Sequence, residues 1–392
     1  MIRGIALALM LVSGICIPAA AMAQQNEGDD KKKKKVAALK EPEKKKNTEP
    51  QGVVGKEKKK YGVIPFGFPF YSPDTSGALA FALVFYHNPD PKDPTSKLDE
   101  VSIGGTYTLR NQMALKLDST VYFQKDRYKL TFSIAGAKYP QDFWGVGPDT
   151  KDYMKEKYTP VSIDGQPAFL FKVVDNLYMG PIYHGSYVET WYKKKGKLLS
   201  TFHIPGSDGT IASGFGANIV FDNRDSTFYP HRGFYLDARV IAYRREFGSE
   251  YNFTRLELDF RPYVQLYKDL VLGFQLSARL NWGTVPFMLM PQIGGMERMR
   301  GYMDGRYMDK VCLIGQTEFR FPIVWRIGGV VFGSIGTVAP RLDEINPYYF
   351  RYAWGGGLRF TVDKGEHINF RFDVGVDENL EPNYYFFIKE AF

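Results

Sequence analysis

Chemistry in this chain would have to come from few residues. Five histidines are scattered along it, His87, His184, His203, His231 and His367, and no two stand at metal-ligand spacing. The two cysteines are Cys16, inside an N-terminal apolar run, and Cys312, so the mature chain has no disulfide, thiol pair or thiolate cluster. No G-x-S-x-G elbow occurs. Gly355-Gly356-Gly357 lies in a strand pattern with no helix behind it, so it is no phosphate loop. These residues predict no enzyme, no metal and no cofactor. The pattern that remains is electrostatic. Gly294-Gly295-Met296-Glu297-Arg298-Met299-Arg300-Gly301-Tyr302 lies in a connection running over residues 283–310. Strand connections are usually much shorter. An Arg-Gly-Tyr tip in such a loop suggests that it folds back and puts a cation into an enclosed space, where Arg300 needs a carboxylate partner.

A second stretch is Phe221-Asp222-Asn223-Arg224-Asp225-Ser226-Thr227-Phe228-Tyr229-Pro230-His231-Arg232-Gly233. Asp and Asn suit a strand exit, Pro230 cannot continue a ladder, and Gly233 allows the next strand to begin tightly. Taken alone this is a turn.

Strands must position both stretches. Residues 61–392 alternate segment after segment, and no apolar run after the N-terminus is long enough for a membrane helix. In 252–262 Arg255, Glu257, Asp259 and Arg261 alternate with Leu256, Leu258 and Phe260. In 350–362 Tyr352, Trp354, Leu358 and Phe360 alternate with Arg351, Ala353, Gly355, Gly357 and Arg359. Ile368, Phe370, Phe372 and Val374 alternate with Asn369, Arg371 and Asp373. One face carries charges of both signs. The other is aromatic-rich, in a chain with 26 Tyr and 30 Phe. This is the pattern of a transmembrane barrel with a watery lumen, not of a soluble sandwich whose apolar face turns inward. The fold predicted is all-β, an antiparallel transmembrane barrel of about sixteen strands. The strands fall near 62–71, 77–86, 100–110, 112–123, 127–137, 158–176, 178–192, 211–222, 233–245, 252–263, 268–282, 311–322, 327–337, 350–362, 366–376 and 383–392. Pro65 and Pro69 make the first of these the weakest. An even count puts both termini in the periplasm, the Arg300 loop outside the cell and the 222–233 turn on the periplasmic side.

The chain divides into residues 1–23, 24–60 and 61–392. Arg3, the apolar run of residues 5–17 and Ala21-Met22-Ala23 read as a cleaved signal peptide. Cys16 after Ile15 fits a lipoprotein cleavage poorly. Residues 24–60 hold 13 Lys and no aromatic residue, which predicts a disordered periplasmic tail. With Arg3 and this tail set aside, 37 basic and 36 acidic residues remain of the whole chain's 51 and 43. The net charge of +8 is therefore a tail and not a nucleic-acid-binding face. The tail is either a solvated linker or a contact for anionic lipid or an acidic periplasmic partner.

The turn and the Met299-Arg300-Gly301-Tyr302 tip together resemble the BamA/TamA superfamily of outer-membrane barrels, the bacterial surface antigen family. Its turn reads D-x-R-D-x-x-x-Y-P-x-x-G, matched here by Asp222, Arg224, Asp225, Tyr229, Pro230 and Gly233. Its loop tip reads V/I-R-G-F/Y, with Met299 at the β-branched position here. Phe143-Trp144-Gly145-Val146-Gly147 and Glu318-Phe319-Arg320-Phe321-Pro322 also resemble family segments, and the aromatic end at Phe392 is similar to an outer-membrane assembly signal. The resemblance covers residues 61–392. It implies a loop inserted in the lumen with Arg300 as its cation and Glu318 as a partner. The family's second acid lies in an F-x-D-x-G strand. Here that segment is Phe332-Gly333-Ser334-Ile335-Gly336, with Ser334 for the Asp, so the anchor has one carboxylate or draws on Asp373 or Asp259.

The resemblance further implies a Gram-negative outer-membrane protein, in contact with lipid, that assists insertion or translocation of unfolded protein clients. Its mechanism is a weak seam between the 62–71 segment and Tyr384–Phe392. Relatives that do this work usually carry POTRA domains, and residues 24–60 are too few and too polar to form one. A passive pore or structural surface antigen is the alternative that this departure raises.

Overall fold

The computed structural model describes residues 60–72, 76–90, 97–193, 196–365 and 367–392. The signal and all but the last residue of the Lys-rich segment lie outside the described residues. Sixteen long strands follow in order: β1 (Tyr61–Ser72), β2 (Ser76–His87), β3 (Asp99–Thr108), β4 (Met113–Phe123), β5 (Tyr128–Lys138), β6 (Glu156–Val174), β7 (Leu177–Lys193), β8 (Gly209–Asp222), β9 (Gly233–Tyr243), β10 (Phe253–Tyr267), β11 (Leu270–Gly283), β12 (Val311–Val324), β13 (Ile327–Ala339), β14 (Arg351–Asp363), β15 (Ile368–Val376) and β16 (Pro382–Ile388). Each pairs antiparallel with the next, giving an up-and-down transmembrane barrel. Two-residue turns at 175–176, 268–269 and 325–326 close hairpins at the end that carries the start of β1 and the end of β16. Asn176, Lys268 and Trp325 take the positive φ that such turns need, at 65°, 45° and 53°. The opposite, far end carries the long connections, residues 139–155, 244–252, 284–310 and 340–350 among them. Short turns at one end and long loops at the other are the habit of outer-membrane barrels.

The sign of the alternation is visible strand by strand. On β14, Tyr352, Trp354, Leu358 and Phe360 are exposed on the outer wall, while Ala353 and Arg359 are buried inside. On β15, Asn369, Arg371 and Asp373 are buried inward. Apolar groups meet lipid, and charges pair across the lumen.

β1 and β2 depart from this rule. Their inward residues are Ile64, Phe66, Phe68, Ala80, Ala82, Val84 and Tyr86, with no charge among them. The reason lies at the seam. Phe66 packs on Phe370 at 4.7 Å between ring centroids, and Phe68 packs on Phe386 at 5.6 Å. Phe370 and Phe386 stand on the outer faces of β15 and β16. The inner face of β1 therefore lies over the outer face of the last hairpin, and that overlap calls for apolar residues on both sides of β1. Among the described residues no ladder joins β1 to β16.

The last strand is shorter than the 383–392 segment predicts. Lys389 adopts φ 75° and breaks the extended path. Beyond it Ala391 and Phe392 are buried, and so is the side chain of Glu390. Glu390 is drawn inward to Arg359 and Asn369, at 2.7 and 2.9 Å, because a buried carboxylate needs such partners.

Candidate functional site

The 284–310 loop enters the lumen from the far end and turns on glycines. Gly294, Gly295 and Gly301 have φ of 111°, 103° and 125°. A Cβ on Gly301 would sit 2.6 Å from the Val376 carbonyl oxygen, so the tip lies against β15 with no room for a side chain. Three further bonds fix it. The Gly301 N–H donates to the Tyr385 hydroxyl (3.0 Å), Asn383 Nδ2 donates to the Gly301 carbonyl (2.8 Å), and the Met299 N–H donates to Gln316 Oε1 (3.1 Å). Tyr302 is buried against Tyr307, with 6.0 Å between ring centroids.

Arg300 is almost fully buried. Its Nη1 donates to Asp373 Oδ2 at 2.5 Å, its Nη2 donates to Glu318 Oε1, and the guanidinium lies 3.7 Å from the centre of the Phe332 ring. The two carboxylates are tied in turn. Arg320 Nε donates to Glu318 Oε2 at 2.9 Å and Arg320 Nη2 to the Phe392 carbonyl at 2.8 Å. Arg359 Nη1 donates to Asp373 Oδ1 at 2.5 Å. Arg371 Nη2 donates to the Met296 carbonyl at 2.8 Å, which adds a wall-to-loop bond. Four guanidiniums thus meet three carboxylates, Glu318, Asp373 and Glu390, in a space closed to water. Burial alone would raise the Glu390 carboxyl, but Arg359 and Arg320 hold it below its usual range. The pairing is uneven: the nearest carboxylate oxygen to Arg371 is 3.8 Å away, so the Met296 carbonyl is its hydrogen-bond acceptor and one cation of the cluster is in excess.

One sequence-derived anchor has to be corrected. Ser334 is not part of the Arg300 anchor, because its hydroxyl donates to the Ala353 carbonyl at 3.2 Å. The second carboxylate comes from Asp373 on β15, while Asp259 is taken by Arg261 at 2.9 and 2.6 Å. The Phe332–Gly336 segment still serves the loop. Phe332 underlies Arg300, and Gly336 leaves space for the Met299 sulfur, 2.8 Å from where a Cβ would be.

The 222–233 turn sits at the other end of the lumen. Asp222 receives Arg224 Nε and Nη2, each at 2.8 Å, and the Arg224 guanidinium stacks over Tyr235 at 4.7 Å. Asp225 Oδ1 accepts the N–H groups of His231 (2.9 Å) and Arg232 (3.2 Å). Gly233 takes φ 93°, where a Cβ would meet the Asn223 carbonyl at 2.5 Å. Pro230 is buried beside Tyr229, which lies 5.5 Å below the Arg320 guanidinium. Phe228, which carries no motif signal, packs on Tyr86 of β2 and under Lys389. Lys389 reaches on to Glu100 on β3. The turn thus closes the base of the lumen and meets the foot of the seam. Alternation along single strands could not disclose Phe228, because its contacts lie on distant strands.

At the far end Phe143, Tyr158, Phe287, Met290 and Met308 form an apolar cap, with Phe143 and Phe287 rings 5.1 Å apart. The Gly147 N–H donates to the Met308 carbonyl at 2.8 Å, which ties the 139–155 connection to the long loop. Among the described residues no group of His, Cys, Asp or Glu could hold a metal ion.

A family model described as the Omp85 superfamily domain matches residues 99–389. Among solved structures the chain is similar to BamA from Haemophilus ducreyi lacking POTRA domains 1-3. The identity is 14%, the TM-score 0.52, and the match covers 84% of this chain and 69% of that one. It is also similar to CdiB from Escherichia coli, at 11% identity and a TM-score of 0.54, over 84% of this chain and 61% of that one. CdiB from Acinetobacter baumannii matches at 13% identity and a TM-score of 0.49, over 83% of this chain and 58% of that one. At these identities the likeness is one of fold. No curated protein matches the sequence.

Proposed function

Because the chain belongs to the Omp85 superfamily, we propose that it assists insertion or translocation of proteins at the outer membrane, with the β1 and β16 edges as the place where an incoming strand pairs. The role is not enzymatic and uses no cofactor. The observation that carries it is the chemistry of those two edges. The Asn88 N–H donates to the Lys60 carbonyl, and the β1–β2 register runs without a bulge. Even-numbered residues of β1 therefore bond to β2, and odd-numbered N–H groups point to the free edge. Pro65 and Pro69 fall on that edge and supply no donor. The Lys389 N–H donates to the Asn369 carbonyl, so even-numbered residues of β16 face the same gap, Pro382 among them. The prolines weaken pairing of these two edges with each other, and the remaining N–H and C=O groups of both, held by ring contacts instead of a ladder, stay open to an extended segment.

Cross-linking tests this. With Cys312 replaced by Ala, Phe68→Cys and Phe386→Cys are joined by a short bismaleimide, and assembly of outer-membrane clients is followed by heat-modifiability. Locking should block client assembly, and the double-cysteine protein left without cross-linker, or each single-cysteine variant treated with it, should not. Unchanged assembly in the locked protein sinks the seam reading, and a large, steady solute conductance beside it supports a passive pore. Export by a signal cleaved after Ala23 belongs to the same proposal, and a mature protein starting anywhere but Gln24 contradicts it. So does contact of the Lys-rich tail with anionic lipid or an acidic partner, tested by pull-down with and without residues 24–60.

A further inference from the structure

Arg298 stands two residues before Arg300 and faces the adjoining β9–β11 wall. There three neighbouring strands line up charges in register. Arg239 on β9 pairs across from Glu257 on β10, and Glu257 pairs across from Arg279 on β11. The next row is Asp237, Asp259 and Ser277. Asp237 is taken by Arg239, whose Nε donates at 3.0 Å, and Asp259 by Arg261. Glu257 is left among Arg239, Arg255 and Arg279 at 3.8, 3.8 and 3.5 Å, too far for a charge-assisted bond to any of them. Arg298 reaches only Asp259 Oδ2, at 3.6 Å, an oxygen that already accepts from Arg261 at 2.6 Å.

Two guanidiniums, Arg279 and Arg298, thus make no hydrogen bond within the protein among the described residues. The Arg279 Nε is also shut off from solvent and has no partner. Each guanidinium carries five donors. Both border one open space of about 50 Å³, walled by Asp237, Arg239, Glu257, Asp259 and Ser277 as well. Arg279 also borders a second space of about 210 Å³, where Arg255, His184 and Asp164 stand. The local count is five guanidiniums, Arg239, Arg255, Arg261, Arg279 and Arg298, against Asp237, Glu257 and Asp259. Asp304, Asp164 and Glu297, the residue before Arg298, are further acids nearby. Asp304 is engaged by Gln292 Nε2 at 2.7 Å, and Asp164 stands 3.6 Å from His184.

We infer that Arg279 and Arg298 form a seat for a phosphate-class anion between the inserted loop and the β9–β11 wall. A carboxylate has two oxygens and would leave most of the facing donors unfilled. A phosphate group presents three or more strong acceptors and suits two guanidinium forks. Its occupant ties the loop to β11 as the Glu318 and Asp373 pairs tie it to β12 and β15. The phosphate can be a free ion or the headgroup of a phosphorylated lipid.

The test is calorimetric titration of sodium phosphate, at constant ionic strength, into the full chain in phosphatidylcholine nanodiscs. One saturable site is expected. The Arg279→Gln/Arg298→Gln double variant should weaken it at least tenfold, and Arg341→Gln, on the exposed 340–350 connection, should not. Because Arg279 lies in the wall, the single Arg298→Gln variant provides a loop-only arm and should also weaken binding. Cold-gel mobility verifies that each variant is folded. No saturable heat with the native protein, or equal binding by the folded double variant, overturns the proposal. A repeat in discs containing phosphatidic acid separates the sources. A site already filled there supports the seat with a lipid headgroup as occupant, and unchanged titration supports it with the free ion.

Discussion

Replacing Arg300 by Ala removes the cation that two buried carboxylates share, and the cost follows from what each keeps. Arg300 makes two charge-assisted bonds, worth about 1.5–3 kcal/mol each. Its stacking on Phe332 adds about 1 kcal/mol. The gross loss is softened, because Glu318 retains Arg320 at 2.9 Å and Asp373 retains Arg359 at 2.5 Å. The cluster moves from four cations and three carboxylates to three of each. A net loss of about 3 kcal/mol is expected, toward the low end of broken buried pairs. Glu318→Gln goes the other way, leaving four cations on two carboxylates, and should cost more, about 4–5 kcal/mol. The assay is the urea midpoint of the folded band on cold gels, in lipid micelles, for the two variants side by side. An Arg300→Ala midpoint equal to the native one refutes the anchor. Arg300→Ala more damaging than Glu318→Gln refutes the charge count on which the ranking rests.

Gly301→Ala should cost about 1–3 kcal/mol through its φ of 125° and the Val376 carbonyl, and should free the loop for limited proteolysis; an uncut loop contradicts this. Pro65→Val/Pro69→Val gives the β1 edge two donors. It should raise the urea midpoint by an amount equivalent to about 1–3 kcal/mol while slowing client assembly, and an unmoved midpoint means that the prolines do not keep the edges apart. Asp309 is buried at the loop's end, and burial pushes its carboxyl up to about 6, above the unfolded value of 3.8. A raised carboxylate pKa means that the proton favours the folded loop. That stability is full below about pH 4 and lost as pH rises through 6. Amide protection factors in residues 284–310, each referred to the intrinsic exchange rate at its pH, should be higher at pH 5 than at pH 8, and Asp309→Asn should flatten the difference.

The barrel was legible because its alternation has a sign. Arg351, Ala353, Gly355, Gly357 and Arg359 against Tyr352, Trp354, Leu358 and Phe360 says which face is wet, and sixteen such segments give the count. The Arg300 loop was legible from its length and tip. Its partners were less so, because Glu318 and Asp373 lie 18 and 73 residues away and only the closed sheet brings them together. Ser334 shows the limit of carrying a position over from a resemblance. The position faces inward as expected, but a hydroxyl is satisfied by the nearest carbonyl and leaves the cation to another strand. β1 and β2 were legible as strands at 62–71 and 77–86, but not which of their faces turns inward, because Ile64, Phe66 and Phe68 face one way and Val63, Pro65 and Gly67 the other, both without charge. Arg279 and Arg298 were in view as residues, but their lack of partners is a property of the assembled wall.

The overlap of β1 with β15 and β16 bears on how wide this protein is. A hoop closed by a ladder has a girth fixed in whole strands, about 4.8 Å at a time. A wall that laps over itself on phenylalanine rings is a scroll. It can tighten or slacken by fractions of a strand, and no N–H has to leave its acceptor as it does so.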